Sequence, residues 1–185
     1  MGRRILFLGP PGAGKGTQAE MLARAVGVPH VSTGEMLRDA IAAGSELGRQ
    51  VEAVVASGAL VSDDLVLALV RERLSRDDAA CGYLLDGYPR NVSQAVALSN
   101  ALGEDAIEVA LLLDVDTDEL VGRLLKRAAE QGRADDSEEV IRHRLEVYTT
   151  ETEPLIKHYK GRVVAVTGSG SIDDVFASIV RALAA

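Results

Sequence analysis

The stretch Gly9-Pro10-Pro11-Gly12-Ala13-Gly14-Lys15-Gly16-Thr17 combines the residue types that hold phosphate groups. Glycines let backbone N–H groups turn inward around phosphate oxygens, at dihedrals and distances that a Cβ would forbid. A helix opening at Lys15 would aim its unpaired N–H groups and the positive end of its dipole at the same point. Lys15 adds a charge able to reach the outer phosphates, and Thr17 offers a hydroxyl close to a metal ion. The general pattern is G-x-x-x-x-G-K-[ST]; here Gly16 stands where Ser or Thr is usual, and Thr17 comes one position later. The other reading is a structural Gly/Pro turn that happens to carry a lysine.

The arginines come next. Arg123 and Arg127 are four residues apart on a helical stretch, so both guanidiniums point the same way. They suit a polyphosphate, but Glu119 also sits where it would form a surface ion pair with Arg123, and Arg127 can serve the helix dipole. Arg90 closes Asp86-Gly87-Tyr88-Pro89-Arg90 at the end of an apolar run, which is the ligand side of a parallel sheet. Arg38 and Arg144 lie on helical stretches and Arg133 in a polar one, where a solvated charge is the plain alternative. His30, His143 and His158 show no ligand spacing and read as surface or packed residues.

The elements that must position these residues alternate along the chain. Ile5-Leu6-Phe7-Leu8 is a continuous apolar run stopped by Gly and Pro, the mark of a strand buried on both faces. Further strands are expected at 28–31, 83–85, 109–115 and 163–166. Helices are expected at 15–26, 46–57, 63–75, 92–102, 138–159 and from Ile172. Ser32 with Glu35 forms a capping box that opens a helix through Ala42, and Asp116 with Glu119 a second one, whose helix gives way near Ala129. Five strands alternating with helices imply an α/β domain, a parallel sheet with helices on both faces. No repeat, low-complexity tract or linker divides residues 1–185 into more than a single domain.

Composition narrows the function. Of 185 residues, 47% are hydrophobic and 26% charged, a globular balance, and aromatics at 3% leave the core to Val, Leu, Ile and Ala. A net charge of −8 with no basic run argues against nucleic acid as a partner. A ligand with several phosphates would need a local cluster of cations set against that global sign. Cys81 is the only cysteine, which excludes an internal disulfide and reads as a buried or half-buried thiol. The four apolar residues after Met1-Gly2-Arg3-Arg4 are too few for a signal peptide or a membrane span, so no membrane association and a cytoplasmic location are expected.

The chain resembles the adenylate kinases and their nucleoside-monophosphate kinase relatives. Gly inserted before Thr17 is the form their phosphate loop takes. Ser32-Thr33-Gly34-Glu35-Met36-Leu37-Arg38, Asp86-Gly87-Tyr88-Pro89-Arg90, Gly132-Arg133-Ala134-Asp135-Asp136 and Gly170-Ser171-Ile172-Asp173-Asp174 follow in family order. The resemblance covers essentially the whole length. It implies a P-loop kinase fold with a core (1–31, 62–127 and 138–185), a mobile AMP-binding arm (32–61) and a short lid (128–137). Gly44, Gly48, Gly58 and Gly132 would be hinge points. The implied activity is ATP + AMP ⇌ 2 ADP, with Mg²⁺ accompanying ATP and action as a monomer.

By position, Gly12, Ala13, Gly14, Lys15, Gly16, Thr17, Arg123, Arg127 and the backbone at Gly170 would bind ATP. Thr33, Gly34 and Arg38 would contact AMP, and Ala59, Leu60 and Val61 would line the adenine pocket. Gly87, Tyr88, Pro89 and chiefly Arg90 would hold the AMP phosphate, while Gln94 reads the adenine edge. Arg133 and Arg144 would close onto the phosphates, completing with Lys15, Arg90, Arg123 and Arg127 the catalytic set. Asp86 would orient a water on magnesium or cap the following helix, and Asp135 and Asp136 would hold lid arginines or cap theirs.

UMP/CMP kinases of the same resemblance usually carry Ala where Thr33 stands and Asn where Gln94 stands. Gln presents a donor and an acceptor that suit adenine. Long-lid relatives carry an insertion, often with zinc-binding cysteines, that this chain lacks, so no zinc is expected. A GTPase-type switch would need Asn-Lys-x-Asp and Asp-x-x-Gly, and neither occurs.

Overall fold

The apolar run after the N-terminus becomes the central strand. In the computed structural model, which describes residues 4–131 and 137–184, β1 (Arg4–Leu8) lies between β3 (Tyr83–Asp86) and β4 (Val109–Asp114). β2 (His30–Ser32) flanks β3 and β5 (Val163–Thr167) flanks β4, giving the order β2-β3-β1-β4-β5 with every pairing parallel. Ile5 stands opposite both Leu84 and Val109, which fixes the register at the centre.

A parallel sheet needs both faces covered, and strand alternation divides the core accordingly. Ile5 and Phe7 pack with Ala19 and Leu22 of α1 (Lys15–Val26) and with Val175 and Ile179 of α9 (Ile172–Ala184). Leu6 and Leu8 face the other way, onto Val66 and Val70 of α4 (Asp63–Leu74), Ala95 and Leu98 of α5 (Val92–Leu102) and Leu155 of α8 (Pro154–His158). All strands therefore deliver their C-terminal ends to one edge. At β1 the chain order reverses, and that is where open parallel sheets place their ligands.

One helix start follows its expected cap, and another carries a cap that the sequence reading did not name. Ser32 Oγ accepts the Glu35 N–H at 3.4 Å to open α2 (Thr33–Ala42), and Ser45 Oγ accepts the Gly48 N–H at 3.0 Å to open α3 (Glu46–Ser57). The second expected box is not what Glu119 makes. Its two carboxylate oxygens go to Arg123 and, at 2.6 Å, to Ser169 Oγ, and α6 (Thr117–Gln131) runs past Ala129.

The long helix expected over 138–159 is interrupted. α7 (Glu138–Val147) passes into a π-turn at Tyr148–Thr152 before α8. Pro154 has no N–H to give the Thr150 carbonyl and its ring would strike it, so the ladder slips. The Glu153 N–H reaches Tyr148 O instead, at 2.9 Å. Three other expectations are corrected. β2 spans 30–32 rather than 28–31, and Cys81 is exposed, not buried, in the turn before β3. Gly48 is a packing position rather than a hinge, because a Cβ there would lie 2.1 Å from Ala40 O where α3 crosses α2. Gly132 lies outside the described residues.

Candidate active site

The loop between β1 and α1 wraps one end of a cleft of about 750 Å³ at the sheet's C-terminal edge. Gly12, with φ +86°, is required by geometry: a Cβ would sit 2.9 Å from Leu124 Cγ and 3.0 Å from Leu120 O of α6. Gly12, Gly14, Lys15, Gly16 and Thr17 all line the cleft. Ala13 does not; it is buried, and its N–H closes the loop on Pro10 O at 3.2 Å. Lys15 Nζ donates to Gly9 O at 2.8 Å and Pro10 O at 2.9 Å. Burial, reinforced by the nearby charges of Arg90, Arg144 and Arg127 and opposed by Asp86, pulls its pKa down to about 8.

The cation cluster that the net charge required is here. Arg38, Arg90, Arg123, Arg127 and Arg144 join Lys15 on the walls of the cleft, facing the carboxylates of Glu20, Glu35 and Asp86. The ion-pair reading of Arg123 does not take it away from the cleft. It pairs with Glu119, it donates to Gly168 O at 3.0 Å, and it still lines the cleft. Arg90 is held by its own loop, with Nε donating to Gly87 O at 2.9 Å and its carbonyl accepting from Thr152 Oγ1 at 2.7 Å. The π-turn thus pins the arginine that follows β3.

Asp86 ends β3 and does not cap the following helix, whose cap is Asn91. Burial would raise its carboxyl, but the His30 imidazole, Lys15 and Arg90 outweigh that and hold it below the usual carboxylate range. His30 Nε2 lies 3.6 Å from Asp86 Oδ2, too far for a hydrogen bond, and has no hydrogen-bond partner among the described residues. Asp86 and Thr17 are oxygen donors on one cleft, with Gly16 oriented so that a Cβ would lie 3.8 Å from Asp86 Oδ2. One or two such oxygens beside phosphates are what Mg²⁺ takes, so these residues fit that ion.

A smaller cavity of about 60 Å³ opens between α2, α3 and the loop after β3. Thr33, Gly34, Arg38, Ala59, Leu60 and Val61 line it from one side. Gly87, Arg90, Gln94 and Arg144 line it from the other. Thr33 Oγ1 donates to Gly87 O at 2.9 Å, tying the start of α2 to β3. Gly58, with φ +78°, ends α3 directly against α7, where a Cβ would meet Arg144 Cγ at 2.7 Å.

Not every expected residue gathers here. Pro89 lines the large cleft, but the Tyr88 side chain is wholly buried in the core and donates to Gln94 O at 3.3 Å. Gly170 is exposed and does not line the cleft; Gly168 is the residue of that turn that touches Arg123. Arg133, Asp135 and Asp136 lie outside the described residues. The sequence reading missed His30, Glu20, Tyr148 and Thr152, all on the cleft. Of these only His30 carried a signal, being two residues from a strand's C-terminal end.

The family model "Adenylate kinase" matches residues 7–164. The chain is 54% identical over 188 residues to the adenylate kinase of Synechococcus sp. (strain RCC307), covering 100% of both. It is 49% identical over 184 residues to that of Stenotrophomonas maltophilia (strain R551-3), covering 97% of this chain and 98% of the relative. For the Kocuria rhizophila adenylate kinase the identity is 50% over 184 residues, with the same coverage. A phosphate loop, a cleft lined with cations and a full-length match at this level of identity lead to one conclusion: the chain belongs to the adenylate kinase family.

Proposed function

We propose that this cleft catalyses ATP + AMP ⇌ 2 ADP with ATP on the loop between β1 and α1 and AMP against the small cavity. The observation that carries the assignment is the convergence of Lys15 and five arginines on one cleft of an acidic chain, with an uncharged cavity wall formed by Ala59, Leu60 and Val61 opening off it. In the transfer, an AMP phosphate oxygen bonds to the γ-phosphorus of ATP. The bond from that phosphorus to the bridging oxygen breaks, and ADP departs with the electron pair. The attacking oxygen is already an anion, so no general base is needed. The protein's work is positioning and fixed positive charge.

Gly12, Gly14, Gly16 and Thr17 supply the cradle for the ATP phosphates, Ala13 closing the loop behind them, and Lys15, Arg123 and Arg127 the charge around it. Thr33, Gly34, Arg38, Gly87 and Arg90 orient the AMP phosphate, and Arg144, with Arg133 of the lid, completes the cluster. Mg²⁺, held near Asp86 and Thr17, would supply neutralisation of the ATP oxygens. Segments 32–61 and 128–137 act as arm and lid, excluding water that would otherwise intercept the phosphoryl group. Gln94 at the small cavity supports AMP over pyrimidine monophosphates.

The test is incubation of the purified protein with ADP and Mg²⁺. Equal yields of ATP and AMP are expected. Inorganic phosphate in their place, or faster turnover of UMP or CMP than of AMP with ATP, would overturn the assignment.

A further inference from the structure

The Gln94 side chain is 2% exposed, and its amide is fixed from both ends by partners that can each do only one thing. Its Oε1 accepts the Arg90 backbone N–H at 2.7 Å, and a backbone N–H only donates. Its Nε2 donates to Asp63 Oδ1 at 2.8 Å, and a carboxylate only accepts. An amide between two hydroxyls could turn over at no cost; this one cannot. Asn91 repeats the arrangement, its Oδ1 accepting the Gln94 N–H at 2.8 Å while its Nδ2 lies 3.5 Å from the same Asp63 oxygen.

Asp63 is the first residue of α4, where an acid also suits the helix dipole. Asp64 beside it supplies that benefit equally, yet only Asp63 meets Gln94. Each of the two bonds uses one valence, so the amide still has one lone pair on oxygen and one N–H on nitrogen to offer the cavity it lines. In the enforced sense these face a base that donates from its 6-position and accepts at the neighbouring ring nitrogen, the pattern of a 6-aminopurine. A 6-oxopurine presents the reverse.

We propose that Asp63 is a specificity-determining positioning residue, which locks the sense of the Gln94 amide and so makes the monophosphate site reject 6-oxopurine nucleotides. The inference rests on the reading of Gln94 as the base contact. Sites that hydrogen-bond a substrate group reject analogues lacking it strongly, because their own polar groups are left unpaired.

The experiment compares kcat/KM for AMP and IMP, with ATP as donor, in the wild type and in Asp63→Ala, Asp63→Asn, Asp63→Glu and Gln94→Ala. In Asp63→Ala the AMP-over-IMP preference should fall by about tenfold through KM for AMP, with KM for ATP unmoved. Asp63→Asn, whose amide can present either atom, should fall by about threefold, and carries the comparison alone if the alanine variant does not fold. Asp63→Glu, still only an acceptor, should keep the preference nearer the wild type than either. An unchanged preference in the Ala and Asn variants, with KM for AMP raised in Gln94→Ala, overturns the lock and leaves the base contact standing. An unchanged KM for AMP in Gln94→Ala removes the base contact and the lock with it.

Discussion

The loops that follow β1 and β3 leave adjacent strands at the same edge and line the same cleft, but they are built from different material. The first is main chain: glycines at positive φ, an amide closed on Pro10, and a single lysine whose Nζ is held by Gly9 and Pro10 carbonyls. The second is side chains anchored on the loop's own main chain: Arg90 and Thr33 donate to the Gly87 carbonyl, Thr152 donates to the Arg90 carbonyl, and Gln94 is held between the Arg90 N–H and the Asp63 carboxylate. A site of main chain is fixed by what must be absent, since a Cβ at Gly9 or Gly12 would collide with its neighbours. A site of side chains is fixed by what must be present. The first therefore suits a group common to every nucleotide, the second a choice among nucleotides.

Three measurements can break or sharpen that contrast. The largest effect belongs to the side-chain loop. Arg90→Ala should lower turnover by about 10²- to 10⁴-fold, the scale of a lost charge clamp on a transferring phosphoryl group. Steady-state kinetics retaining more than a third of the wild-type rate would mean that this loop does not act through its side chains. Next is the main-chain loop. Gly12→Ala should cost about 1–3 kcal/mol of stability, from the left-handed φ and the collision with Leu124 and Leu120 O, read as a lower urea midpoint. A wild-type midpoint would show that the loop tolerates a Cβ and that the contrast is drawn too sharply.

The smallest effect is in pH. Free Lys15 titrates near 8 because burial disfavours its charge, and bound phosphates favour the charge, so nucleotide binding raises that pKa. The lysine's contribution to affinity for a non-hydrolysable ATP analogue is then full below about 8 and declines as pH rises above it. Calorimetry in buffers of different ionisation enthalpy should show proton uptake on binding above pH 8. Proton release there, or affinity flat to pH 9.5 (about 1.5 units above the free value), would remove the lysine from the phosphate site.

The main-chain half of the site was legible in the sequence because glycine has few other reasons to recur there, and a buried parallel strand can only be an apolar run. The Ser32 cap bonds to the residue three positions on, the spacing that marks a capping box in the sequence. The side-chain half was less legible. Asp63 and Gln94 are 31 positions apart, and nothing local marks their bond. Glu119 had two plausible uses, a box with Asp116 and a pair with Arg123; the tertiary contact with Ser169 decided it. Pro154 did announce the break after α7, but a proline at a helix start and one that forces a π-turn read alike until the chain on both sides is placed.

Arg144 borders both the large cleft and the small cavity, as do Arg38 and Arg90, and its stem bears on Gly58 at the end of α3. With the two nucleotides seated as proposed, two anions sharing three guanidiniums would not occupy the enzyme independently. Each arrival would redistribute the charge available to the other, so the two occupancies would be thermodynamically linked through a common wall, with no message carried across the fold.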